Sequence, residues 1–340
     1  MGANEKGRVL PFFKFSLQKE LFLMAKGKSS IHRQLEAKFK HTRSGSYGTR
    51  ARYKQSCTKF ADFVNEKFKM QNLRNLQDKH IVAYIKHRQE QGISPKTIKS
   101  DLGAIRYLHD LIDNAKYELS DNATLAKDYG VFLDKTPAVK GDRAWTKEEY
   151  TGMLAKLDDL SRQTGNLGDT AKDMKCILPL CRTMGLRITE AVAMKRSQAE
   201  HALRTGVYEV KGEAKNGLHR SVPLSDEARA VLAVKTAQIE RGGLLFVREG
   251  EKVHQAVGRC EKLLERHREG VTTQEGREQR MYNGKSNELT FHGLRYGYVQ
   301  DRVAEEMAKG FNFEQAATFV TREIGHSRVE IVKVYMGGKV

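Results

Sequence analysis

Apolar residues recur at helical spacing through most of this chain, and one short stretch alone, Val207 to Leu224, switches to the alternation of a strand pair. That pattern limits the fold class to mainly α with a small β-sheet (α+β). Three helices are expected between Tyr47 and Asn114. The first sets Tyr53, Phe60, Phe63 and Val64 among Arg50, Arg52, Lys54 and Lys59. A second, over Asp78–Gln91, presents Ile81, Val82, Tyr84 and Ile85 and stops at Gly92. The third starts with Ser94 as N-cap and Pro95 in the first turn, where a missing N–H costs nothing, and lines up Ile98, Leu102, Ile105, Leu108 and Leu111. After Gly130, Pro137 and Gly141, a new helical region opens at Thr146-Lys147-Glu148-Glu149, a capping box. Val207-Tyr208-Glu209-Val210 and His219–Leu224 then form a hairpin around a Gly/Asn turn. Helical spacing resumes at Asp226, with a polar, looped stretch expected at Glu269–Glu288. The domain reading is a basic N-terminal extension at 1–45 (flexible or arm-binding), a helical domain at 46–115, a linker at 116–145 and a second domain at 146–340.

Charge divides the chain as sharply as periodicity does. Of the formal net charge of +18, +15 lies in the first hundred residues. A solvated basic face explains one helix, but a concentration this lopsided favours a polyanion, because each Lys or Arg that meets a phosphate releases condensed counterions. Arg50, Arg52, Lys54, Lys96 and Lys99 are the candidate nucleic-acid contacts. A membrane partner is not expected. No apolar run approaches the length of a spanning helix, Lys14 and the Lys19-Glu20 pair interrupt the N-terminal apolar stretches, and no basic amphipathic helix carries an aromatic anchor face. Cys57, Cys176, Cys181 and Cys260 are too scattered for a disulfide framework or a zinc site, which points to a reduced, intracellular compartment.

Four segments of the second domain carry chemistry. They are Gly185-Leu186-Arg187-Ile188-Thr189-Glu190, Ala214-Lys215-Asn216-Gly217 in the hairpin, His292-Gly293-Leu294-Arg295, and Ile324-Gly325-His326 with Tyr335 nine residues on. Singly, each has a plain explanation: a surface arginine, a turn lysine, a capping histidine, a core tyrosine. Together and in this order they resemble the tyrosine recombinase (phage integrase) family, strongly over 146–340 and, over 46–115, in shape and charge alone.

The resemblance implies a helical SAM-like core-binding domain and a catalytic domain that form a C-shaped clamp on DNA. It further implies that Tyr335 attacks a DNA phosphodiester and becomes a 3′-phosphotyrosine. Arg187 and Arg295 would hold the non-bridging oxygens, Lys215 would protonate the leaving 5′-oxygen, His292 would assist proton transfer at the tyrosine, and His326 would hydrogen-bond the phosphate. Lys211 competes for the role of Lys215, whose spacing to Val222-Pro223-Leu224 fits the family better.

The chemistry accounts for these residue types. Two guanidinium forks can satisfy the charge that gathers on the equatorial oxygens. A free tyrosine hydroxyl, with a pKa of about 10, needs a base and cations around it, and a basic leaving alkoxide needs an acid. No cofactor, metal or ATP is expected. The implied partners are double-stranded DNA with specific recombination sites, three further copies of the chain in a tetramer, and a directionality factor or DNA-bending protein. The implied setting is the cytoplasm, at a bacterial or phage nucleoid. A type IB topoisomerase-like enzyme and a non-catalytic DNA-binding regulator are the competing readings. The interval of 31 from Arg295 to His326 is long for the family, and an inserted turn or longer helix is expected in Ala304–Phe319.

Overall fold

The computed structural model describes residues 29–42, 45, 47–135, 137, 139–211 and 219–339. The chain divides into two compact units, Met1–Thr136 and Pro137–Val340. The described part of the first unit is all helical: α1 (Ser30–His41), α2 (Tyr47–Phe68), α3 (Asp78–Glu90), α4 (Pro95–Asp110) and α5 (Asn122–Tyr129). As the sequence suggests, Ser94 caps α4 by accepting from Thr97 N. Its stripe of Ile98, Leu102, Ile105 and Leu108 packs with Phe60, Val64, Ile81 and Ile85 of α2 and α3. Among the described residues of this unit, Ser56, His80 and Asp101 are buried polar groups. Asp101 accepts from Ser56 Oγ at 2.7 Å and from Arg88 at 3.3 Å, so its burial is offset by bonds.

Two segments differ from the sequence reading. Residues 30–41, read as part of the basic N-terminal extension, form α1, whose Ile31 and Leu35 are buried in the core of this unit. Residues 122–129, read as linker, form α5 between an Asp121 N-cap and Gly130 in the left-handed conformation, and Leu125 joins the same core. The Met1–Lys28 part of the extension lies outside the described residues.

The second unit starts with α6 (Lys147–Ser161), α7 (Asn166–Thr183), α8 (Ile188–Val192) and α9 (Arg196–Thr205). Strands β1 (Val207–Val210) and β2 (Arg220–Pro223) pair antiparallel, Val207 opposite Pro223 and Val210 opposite Arg220. Then follow α10 (Asp226–Ala237), α11 (Val253–His267), α12 (Gln274–Gln279) and a second hairpin of β3 (Met281–Tyr282) and β4 (Lys285–Ser286). The stretch expected as a polar loop therefore holds a short helix and a hairpin. Its burial comes largely through a polar residue, Arg280, which hydropathy patterning does not register. The chain closes with α13 (Phe291–Ala308), α14 (Phe313–Glu323) and α15 (Glu330–Tyr335). The long interval before His326 resolves into α13, a turn through Gly310 at φ +96°, and α14. Met153, Leu157, Met174, Ile177, Leu186 and Phe246 belong to the main core of this unit. Tyr296, Tyr298, Val299, Val320, Val332 and Tyr335 belong to a smaller cluster of its own.

Candidate active site

Arg187 is the N-cap of α8, and Glu190 at the third helical position reaches back to it. Glu190 accepts from the Arg187 amide at 2.8 Å and from its guanidinium at 2.7 Å. The same carboxylate, wholly buried, takes both terminal nitrogens of Arg220 at 3.0 and 2.5 Å. Burial alone raises a carboxyl pKa, yet the Arg220 fork and the Arg187 amide outweigh it and hold Glu190 down at about 2. Arg220 stands on the inward face of β2 beside Val222 and donates through Nε to the Glu323 carbonyl at 2.8 Å. One buried carboxylate thus ties Arg187 to the hairpin and, through Arg220, to the end of α14, just before His326.

Arg295 is wholly buried near the start of α13. It donates to the carbonyls of Gly185 and Ile324 and, through Nε, to the Tyr335 hydroxyl at 3.2 Å. The Gly185 carbonyl is available in that direction because residue 185 has φ +60° and no side chain. A Cβ there would stand 2.3 Å from the Tyr298 ring. Burial and the neighbouring cations lower the Arg295 pKa, while Tyr335 and Glu190 work against that fall.

Tyr335 closes α15 with its ring packed against Tyr296 at 4.8 Å, His292 at 5.6 Å and His326 at 6.2 Å between centroids. His326 Nε2 lies 3.5 Å from an Arg187 nitrogen. His292 is exposed as a residue, but crowding of its ring by protein and the cations Arg295, Arg143 and Arg187 push its pKa down to about 4. The imidazole is therefore neutral at pH 7. A depression of about 210 Å³, lined by Leu186, Arg187, Ile188, Thr189, Phe291, His292 and Arg295, opens beside this cluster.

Residues from four separate stretches thus meet at one place: Arg187, His292 with Arg295, His326, and Tyr335. Lys215 lies outside the described residues, and Lys211, its competitor, is exposed at the end of β1. Among the proposed DNA contacts in the first unit, Arg52, Lys54 and Lys96 are exposed. Arg50 donates to the Gly45 carbonyl and Lys99 to the Asp134 carbonyl. Among the described residues no group of three or more His, Cys, Asp or Glu is placed to hold a metal ion. The motif segments include Glu190 without a role for it and leave out Arg220, although each carries a signal. Arg220 occupies the inward phase of a strand that alternates Arg220-Ser221-Val222-Pro223, and Glu190 stands three residues after Arg187, as in a capping box.

Residues 24–115 match the model described as phage integrase, N-terminal, and residues 145–338 match that of the phage integrase family. The chain belongs to the phage integrase family. No curated protein matches the sequence. Among solved structures, the Tn1549 transposon integrase in complex with transposon right end DNA aligns with a TM-score of 0.52 at 12% identity, over 90% of this chain and 94% of that one. The XerH site-specific recombinase bound to palindromic difH substrate, a post-cleavage complex, aligns at 0.54 and 18% identity, over 94% and 83%. At these identities the likeness is one of fold: this chain shares the mainly helical tyrosine recombinase architecture, an N-terminal SAM-like domain and a catalytic domain. Among its described residues no helix is long and apolar enough to cross a membrane.

Proposed function

We propose that this chain is a site-specific DNA recombinase that cleaves and rejoins double-stranded DNA through a covalent 3′-phosphotyrosine at Tyr335. The observation that carries the reading is the Tyr335 hydroxyl set 3.2 Å from Arg295 Nε, within a ring of Arg187, His292 and His326. A core tyrosine has no need of such company.

In this reading the scissile phosphate enters the depression beside Arg187 and Arg295, whose N–H groups take its non-bridging oxygens. The Tyr335 oxygen attacks phosphorus while the bond to the 5′-oxygen breaks. The phenolic proton passes to neutral His292, and Lys215 supplies the proton that the leaving 5′-oxygen requires. His326, beside Arg187, adds a hydrogen bond to the phosphate. Because the phosphodiester is exchanged and not hydrolysed, the reverse attack by a 5′-hydroxyl reseals a strand without ATP, and no residue in the scheme calls for a metal ion.

Four protomers on two sites, passing through a Holliday junction, integrate or excise a mobile element. The basic first unit, with Arg50, Arg52, Lys54, Lys96 and Lys99, adds contacts to the DNA backbone. A directionality factor or bending protein sets the outcome, in a cytoplasmic, nucleoid-bound setting.

The test uses a suicide duplex from DNA flanking the gene, nicked so that cleavage cannot reverse, incubated in EDTA with the wild type and with Tyr335→Phe. A protein–DNA adduct in the wild type that Tyr335→Phe abolishes is expected. Tight binding with no adduct would turn the reading towards a non-catalytic regulator.

A further inference from the structure

Six residues past the boundary between the two units, Asp142 is 3% exposed and carries five donors. Its Oδ1 accepts from the amides of Arg143 and Ala144 at 2.6 and 2.8 Å and from Gln300 at 2.9 Å. Its Oδ2 takes Gln279 at 3.1 Å and the Lys339 ammonium at 2.7 Å. A carboxylate has about four acceptor positions, so this one is saturated.

Two of these donors lead to the tyrosine. Gln300 also bonds the backbone carbonyl of Tyr335 at 2.9 Å, and its own side-chain oxygen accepts from Lys339 at 3.0 Å. Between Tyr335 and Lys339 the backbone runs directly against the carboxylate residue. Gly337, at φ +64°, would place a Cβ 2.6 Å from the Asp142 Cα, so that no other residue fits there in this path. On its other side the 140–144 segment is fastened as well, since Asn287 donates to the carbonyls of Lys140 and Asp142.

We propose that Asp142, with Gln300 and Lys339, is a latch that fastens the Tyr335 segment to its own catalytic unit, so that the tyrosine acts in cis. Asp142 touches none of the reacting groups. It is a positioning residue, and it acts through the Tyr335 backbone and the residues that follow. The latch joins the nucleophile to the stretch of chain that leads to the DNA-binding unit, so one carboxylate sets whether the tyrosine stays in its own site or is free to reach another. The inference deepens the recombinase reading and rests on it for the chemistry, though not for the fastening itself.

Two measurements on the full chain separate the two. Amide hydrogen exchange over residues 329–339 should rise about tenfold in Asp142→Asn, and less in Lys339→Ala, where a half-exposed side chain is lost and folding is not at risk, with the rest of the unit unchanged. Then Arg187→Ala, which keeps its tyrosine, is mixed with Tyr335→Phe, which keeps its arginines, on the suicide duplex. With the latch intact the mixture should form no adduct. With Lys339→Ala or Asp142→Asn added to the Arg187→Ala chain, the freed tyrosine should reach the intact site of the other protomer and adduct should appear. Unchanged exchange over 329–339, or adduct from the mixture with the latch intact, overturns the proposal. A wild type that forms no adduct at all contradicts the recombinase reading, while the exchange measurement still decides the latch.

Discussion

Two carboxylates of the catalytic unit are held in the same way and serve different ends. Glu149 and Glu190 each stand at the third position of a helix, each accept from the amide of the N-cap residue, and each are wholly buried against a distant arginine, Arg280 and Arg220. The difference lies in what occupies the N-cap. At α6 it is Thr146, whose hydroxyl completes an ordinary capping box, so the Glu149–Arg280 pair closes the start of the unit onto α12. At α8 it is Arg187, and the carboxylate that caps the helix also orients a cation towards the site. A device that in one place fastens the start of the unit becomes, with another residue at the N-cap, the mount for an arginine beside His326.

The largest effects should come from breaking the two pairs separately. Removing one partner of a buried pair costs about 3–5 kcal/mol, so Glu149→Gln and Glu190→Gln should lower thermal stability by similar amounts. Cleavage should divide them. Glu190→Gln should slow adduct formation about a hundredfold or more, as loss of an aligned donor to the transition state does, while Glu149→Gln should cleave at the wild-type rate per folded molecule. Apolar double replacements sharpen the contrast. Glu149→Leu with Arg280→Met should recover stability, whereas Glu190→Leu with Arg220→Met should recover stability without recovering cleavage.

Glycines near the two carboxylates give a smaller contrast. Gly185→Ala forces a left-handed backbone on a residue with a Cβ and drives that Cβ into Tyr298, so a loss of about 2 kcal/mol and slower cleavage are expected. Gly152→Ala, in the middle of α6 with its nearest neighbour atom 3.8 Å from the new Cβ, should stabilise by up to about 1 kcal/mol and leave cleavage alone. Melting temperatures and adduct rates check both.

Acidity comes next. The folded pKa of Glu190, about 2, lies below its unfolded value, so the unfolded chain binds the proton first and the contribution of Glu190 to stability fades as pH falls from about 4.5 through 2. His292 follows the same sign at a higher pH, fading from about 6.5 through 4. The His292 ring resonances should accordingly titrate near 4, and the pH profile of adduct formation should show no His292 step near 6.5. Smallest of all, Lys54→Ala and Lys96→Ala, far in sequence from both pairs, should each reduce the salt slope of DNA binding by about one and leave the cleavage step unchanged.

The parts of this molecule that can be read from sequence are those whose signal is local. Ser94-Pro95, Thr146 with Glu149, and the alternation from Val207 to Leu224 each act within a few residues, and the structure has the helix starts and hairpin they imply. Helix α1 is hard to read from sequence because Ile31 and Leu35 are its only two buried residues and stand among basic ones. Helix α5 is equally hard to read, because an eight-residue segment with one buried leucine resembles a connector. At the site, motif spacing brought Arg187, His292, Arg295, His326 and Tyr335 to notice, but Glu190, Arg220 and Asp142 owe their roles to partners 30 to 197 residues away along the chain. Distance of that kind leaves no local pattern, although an arginine on the inward phase of a strand is the trace such a partner can leave.

The most direct test of the account is to find where the DNA becomes attached. The wild-type adduct on the suicide duplex is digested with nuclease and trypsin, and the modified peptide is sequenced by mass spectrometry. Tyr335 lies in Val334–Lys339 and Tyr296, whose ring packs against it at 4.8 Å, in Tyr296–Arg302, so the two tyrosines separate cleanly. A nucleotide phosphate on Tyr335 is the expected result. The same phosphate on Tyr296, or on any residue outside Val334–Lys339, would contradict the account.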